Sequence, residues 1–151
     1  RGLPVLRASH LYPDYMAMVY DRVGRPKKAI ELSIEGIMRG REVADFEYQT
    51  FLGLLARHRF KLPQTEQMRT LVGEAVEVYV GHDDWMNQRA NRLLIADYLS
   101  QNGYPAQAVP FLRRELAAET VHCQFFRIVE RLPAEEAARL DIPSTPPRCE
   151  R

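Results

Sequence analysis

Residues 92–118 read RLLIADYLSQNGYPAQAVPFLRRELAA, and residues 13–39 read PDYMAMVYDRVGRPKKAIELSIEGIMR. Set 79 positions apart, they align Met16 with Ile95, Ala17 with Ala96, Tyr20 with Leu99, Gly24 with Gly103, Pro26 with Pro105, Ala29 with Ala108 and Ile30 with Val109. The chain therefore carries an internal repeat. A small residue, a bulky one three later, a glycine four beyond and an alanine five further form the packing pattern of a helix hairpin that stacks on copies of itself. Ala17 and Ala96 let the axes approach, and Tyr20 and Leu99 fill the space between hairpins. Gly24 and Gly103 supply the left-handed residue that stops the first helix. Pro26 and Pro105 fix the start of the second, and Ala29 and Ala108 let it pack back.

Working outward, apolar residues at helical spacing predict further helices over about 42–59, 65–80, 83–102, 120–132 and, in short form, 134–140. Gly53 aligns with Ala17 and Ala96 at spacings of 36 and 43, the extra seven residues fitting the turn HRFKLPQ. The middle pair is thus a degenerate repeat. Thr65, Asp83 or Asp84, and Thr120 are the expected helix caps. Residues 1–12 are expected to form an extended lead-in, 13–141 the helical domain, and 142–151, IPSTPPRCER, an unstructured proline-rich tail.

Residues 13–119 resemble the tetratricopeptide-like superfamily, including its pentatricopeptide branch. The match is strong in the outer repeats and weak in the middle one. No aromatic opens the motif, and Arg41 and Thr120 stand where its closing proline would lie. The resemblance implies an all-α fold, a right-handed stack of three antiparallel hairpins with one or two C-terminal capping helices. It also implies an inner groove formed by Asp14, Met18 and Asp21, then Thr50, Leu54 and Arg57, then Leu93, Asp97 and Ser100. That groove is mixed in polarity and lacks the basic and amide residues with which some family members clamp a terminal carboxylate.

The 151 residues suit one domain, and 46% hydrophobic against 27% charged composition argues for a folded chain. No apolar run approaches the ~20 residues that a bilayer requires. The net charge of +1 marks no global affinity for nucleic acid. Two cysteines, Cys123 and Cys149, are too few for a disulfide scaffold and point to a reducing intracellular compartment, cytoplasmic or mitochondrial. Arg1, Arg7 and Ser9 precede the first acid, Asp14, which fits either an arbitrary boundary or the remnant of an organellar leader.

Reactive constellations are not apparent. His10, His58, His82 and His122 do not pair with a second ligand at metal spacing, and His122 beside Cys123 does not make a nucleophile and base because adjacent helical residues diverge. HDDW at 82–85 reads as a cap and a large core residue, and Glu135 and Glu136 as solvated acids. No catalytic, cofactor or metal residue is assigned. Basic residues cluster at the turns: Arg22, Arg25, Lys27 and Lys28 at the first, Arg39 and Arg41 at the second, and Arg57, Arg59 and Lys61 at the third. The first and third groups are candidate phosphate contacts along one rim.

The expected function is a non-catalytic scaffold or protein-interaction subunit of a larger intracellular, organellar assembly. Its partner would be a protein or peptide segment. The alternative is an RNA-associated pentatricopeptide-like subunit of an organellar ribonucleoprotein such as a mitochondrial ribosome. Three repeats would address only about three bases, too few for selectivity alone. An enzyme is not expected.

Overall fold

The computed structural model describes residues 12–39 and 42–151, with side chains from Met16 onward. Most of the extended lead-in, the side chain of Asp14, and Gly40 and Arg41 lie outside the described residues. The described chain is mostly helical: α1 (Tyr12–Arg22), α2 (Pro26–Arg39), α3 (Asp45–His58), α4 (Glu66–Val80), α5 (Asp83–Met86), α6 (Arg89–Gln101), α7 (Pro105–Leu116), α8 (Cys123–Glu130) and α9 (Ala134–Ala138). Two short strands, β1 (Val121–His122) and β2 (Cys149–Glu150), pair in parallel. Among the described residues, no helix is long and apolar enough to cross a membrane.

The two outer hairpins form as their residues dictate. Gly24 and Gly103 are left-handed, at φ 77° and 88°. The following amides then turn back on equivalent carbonyls, Arg25 N–H to Tyr20 O at 2.8 Å and Tyr104 N–H to Leu99 O at 2.9 Å. Ala17, Ala29, Ala96 and Ala108 are all fully buried. The repeat read from the alignment is therefore a repeat of backbone geometry as well as of residue type.

The chain divides into two compact units at Phe60 and Lys61. In the first, α1 packs on α2 and α2 on α3, with a smaller contact from α1 to α3. Phe51, Leu52, Leu54, Leu55 and Ala56 of α3 are buried there beside Ile30 and Ile37 of α2. The second unit has α6 packed on α7 at its centre, with α4 against α5 and α7, α8 against α6, and α9 against α7. Its core includes Tyr79, Ile95, Tyr98, Leu99, Phe111, Leu112, Phe125 and Ile128.

Several expectations are corrected. The two helices of the expected middle hairpin fall in different units, because the boundary lies within their connecting turn. Gly53 does not mark a close crossing, since a Cβ there would meet nothing within 4 Å. The helix expected over 83–102 is two: α5 ends at Met86, and Asn87 and Gln88 break the run before α6. At the break, Arg92 Nη1 donates to the Met86 carbonyl at 2.6 Å. His82, rather than Asp83 or Asp84, stands at the N-cap of α5 and stacks on half-buried Trp85 with ring centroids 3.8 Å apart. Thr65 does cap α4, its hydroxyl accepting from Met68 N–H at 3.2 Å.

The C-terminal segment is not an unstructured tail. Cys149 is joined to Cys123 in a disulfide, and its strand pairs Val121 with Cys149 and His122 with Glu150. The pairing removes the argument from free cysteines to a reducing compartment. Neither partner was visible as such in the sequence, because 26 positions separate them and a single pair of cysteines has no spacing pattern to read.

Candidate functional site

In the first unit, two of the expected groove residues, Asp21 and Arg57, meet. The Asp21 carboxylate at the end of α1 accepts from Arg57 Nη2 at 2.8 Å and faces His58 Nε2 at 2.5 Å, so it ties the end of α1 to the end of α3. All three groups are partly exposed, which makes the cluster accessible to a partner. Met18, one turn earlier on α1, is 46% exposed. Thr50 is half-buried, while Leu54 is 1% exposed and belongs to the core instead of the groove. The error is one of helix phase: Leu54 lies beside Leu55 and Phe51 on the inward face of α3.

The corresponding residues of the second unit are already occupied by the chain itself. Leu93 and Asp97 are buried because α8 packs on α6. Asp97 accepts from Arg131 at 3.1 Å and from the Gln101 amide at 2.8 Å, and Ser100 donates its hydroxyl to the Asp97 carbonyl. Leu93 and Asp97 are thus buried and Ser100 half-buried, although Leu93 still lines an open cleft with Leu94, His122 and Gln124.

Basic residues of the first unit gather at the same edge as the Asp21 cluster. Arg22, Arg25, Lys27 and Lys28 flank the α1–α2 turn and are exposed, and Arg57, His58 and Arg59 end α3. Arg25 also lies over the Tyr20 ring at 5.5 Å. Arg59 closes α3 in a left-handed conformation, φ 49°, its amide donating to Leu55 O. Lys61 is exposed and belongs to the second unit.

A buried ion-pair network in the second unit lies outside the expectations from the sequence. Glu115 of α7, completely buried, accepts from Arg92 of α6, lies 3.3 Å from Arg89 and also accepts from the His122 amide at 2.8 Å. Arg89 donates further to the Thr120 carbonyl. A cleft of about 490 Å³ opens beside this network, lined by Asn87, Arg89, Arg92, Arg114, Ala117 and Ala118. Its cations have structural partners: Arg89 and Arg92 hold Glu115, and Arg114 donates to Asn87. The end of α7, where carbonyls concentrate negative charge, is complemented by the same guanidiniums. The cleft is accordingly a wall of the fold. Reading Arg89, Arg92 and Glu115 as a set would have required knowing that α5 ends at Met86 and that α6 crosses α7 there.

The remaining candidate chemistry resolves into structure. Cys123 is in the disulfide, and His122 Nδ1 accepts from Gln124 N–H at 3.1 Å, capping α8 in place of the expected Thr120. Thr120 instead donates its hydroxyl to Glu150. Glu136, expected in solvent, is buried 3.4 Å from Arg139, whereas Glu135 is exposed. Burial raises the phenol of Tyr79 and, with the nearby Tyr104 adding to the effect, that of Tyr98 above its ordinary value. Among the described residues, no group of three or more His, Cys, Asp or Glu is placed to hold a metal ion. No family model, curated protein or solved structure matches the chain.

Proposed function

We propose that this chain is a non-catalytic helical-repeat scaffold or interaction subunit of a larger assembly, with a protein or peptide partner on the α1 and α3 face of the first unit. One observation carries this reading: Met18 of α1, Val23 just beyond it and Phe46 of α3, between 40% and 63% exposed, are all in the first unit. In the second unit Asp97, which aligns with Met18, is buried where α8 packs on α6. Tetratricopeptide-like ancestry, and with it a right-handed stack of antiparallel hairpins, belongs to the same proposal and draws support from the identical turns at Gly24 and Gly103. Tagged chain recovered from native extract should sediment with partners, and Met18→Glu with Val23→Glu should release them while leaving the helical circular dichroism intact. Recovery of the unaltered chain alone at its monomer mass would count against it.

A second reading is favoured by the Asp21 contacts, which draw the basic ends of α1 and α3 to one edge of the first unit. In this reading Arg22, Arg25, Lys27, Lys28, Arg57 and Arg59 meet RNA phosphates within a ribonucleoprotein. Single-strand binding would then weaken by roughly 0.7 log units per tenfold rise in salt for each phosphate contact. Lys27→Glu with Lys28→Glu would abolish most of it, since both side chains are exposed and their replacement leaves folding unaffected. A salt-insensitive or absent RNA signal removes this alternative.

A further inference from the structure

We propose that the Cys123–Cys149 disulfide is a reducible strap that holds the C-terminal segment along β1 and keeps Glu150 on Arg89 and Thr120. This goes beyond the scaffold reading and stands without it. Every residue from Pro143 to Arg151 is exposed, so packing contributes little to holding the segment in place. Its noncovalent attachments are the two-residue pairing with β1, the Thr120 hydroxyl donating to Glu150 at 2.8 Å, and Arg89 at 3.8 Å from the same carboxylate. Exposed ion pairs hold weakly, and two strand residues make a short ladder. The covalent bond is the dominant attachment.

The groups beneath the strap are anchored independently. Val121 is 1% exposed, and Phe125 and Ile128 of α8 are fully buried. Glu115 accepts the His122 amide whether or not Glu150 is present. Opening the strap therefore uncovers the outer edge of β1, the Thr120 hydroxyl and one side of Arg89 without removing the core of the unit. These properties distinguish a switch from a staple.

The reaction is thiol–disulfide exchange with a dithiol reductant. Its thiolate attacks Sγ of Cys149, the exposed partner, forming a mixed disulfide as the Cys149–Cys123 bond breaks. The electron pair leaves on Sγ of Cys123, in the first turn of α8, where the helix N-terminus favours negative charge, and that sulfur then takes a proton from solvent. The second reductant thiolate displaces Cys149 from the mixed disulfide. Two electrons have passed to the protein, two thiols are formed, and the reductant leaves as a disulfide.

The full chain, purified with thiols blocked at lysis, should show no alkylated cysteine by mass spectrometry. Dithiothreitol should then speed amide exchange in the β1–β2 pair on the order of a hundredfold, the effect of opening a loop of this size, while helical circular dichroism and exchange in α6 and α7 hold steady. Cys149→Ser should reproduce the reduced state, and Glu150→Gln with the disulfide intact should stay near the oxidised one. Two alkylated cysteines in the blocked chain, unchanged exchange on reduction, or loss of helix on reduction would each overturn the proposal. So would release of the segment by Glu150→Gln alone, since the ion pair would then be the latch.

Discussion

Arg92 closes on Glu115 inside the second unit, with the side chains 5% and 0% exposed, respectively, and the same guanidinium caps the carbonyl of Met86 where α5 stops. One side chain thus neutralises a buried carboxylate and satisfies a carbonyl at a helix end. Glu115→Ala would leave Arg92 buried without its charge partner, a loss of about 3–5 kcal/mol by the general cost of breaking a buried pair. Replacing both together, Arg92→Met with Glu115→Leu, should recover part of that loss, because the His122 amide and the Met86 carbonyl then lose their partners. Urea unfolding of the three variants measures it, and a double variant no better than the single would show that the pair is not the source of the cost.

The two turn glycines should differ. Gly24→Ala has open space for its Cβ and incurs only the left-handed strain, about 1–2 kcal/mol. Gly103→Ala would in addition set its Cβ 2.8 Å from Oε1 of Gln64, whose amide donates to Asn102 O at 3.0 Å. Gln64 is flexible at its tip and would swing aside, losing that bond, so the excess is about one hydrogen bond, roughly 0.5–1.5 kcal/mol. Gln64→Ala in the Gly103→Ala background should add little further loss. Thermal unfolding of the set provides the comparison.

Gly53 and Ala96, aligned in the repeat, should respond in opposite directions. Gly53→Ala should stabilise by about 0.5–1 kcal/mol, because a helical glycine gains propensity where nothing obstructs the new methyl. Ala96→Trp should destabilise by about 1–3 kcal/mol or more, since Ala96 is fully buried where α6 packs on α7. Equal effects in denaturant melts would mean that the two sites are equivalent after all.

Alkaline titration should expose Tyr98 and Tyr79. Burial raises both phenols above the ordinary value of 10.0. Their folded-state values exceed the unfolded ones, so the stability linked to them is complete below about pH 10 and is lost as pH rises further, while the unfolded chain ionises first. Tyr98→Phe should shallow the decline of unfolding free energy above that pH, whatever it does to stability at neutrality. An unchanged slope would show that Tyr98 does not contribute to the loss.

The repeat was legible because its signals are local. A left-handed glycine, a proline at a helix start and an alanine on an inward face each act through the nearest turn, so Gly24, Pro26 and Ala29 could be matched to Gly103, Pro105 and Ala108 and found in equivalent geometry. The candidate site was legible only in part. Asp21 and Arg57, expected on one face, do meet, whereas Leu54, Leu93 and Asp97, expected on a surface, are buried. Their exposure depended on helix phase and on whether α8 returned over α6, and neither is encoded in the residues themselves.

The helices, apart from the break between α5 and α6, the two outer hairpins and the turns that close them were already readable in the residue pattern, since these follow from interactions a few residues apart. Long-range packing is what divides the expected middle pair between two units, satisfies Glu115 with Arg89 and Arg92, and brings Cys149 to Cys123. Each of these joins residues distant in the chain, where the free energy lies in burial and in charge compensation at close range. Those terms depend on which surfaces come together, and the pattern of any single segment does not specify that.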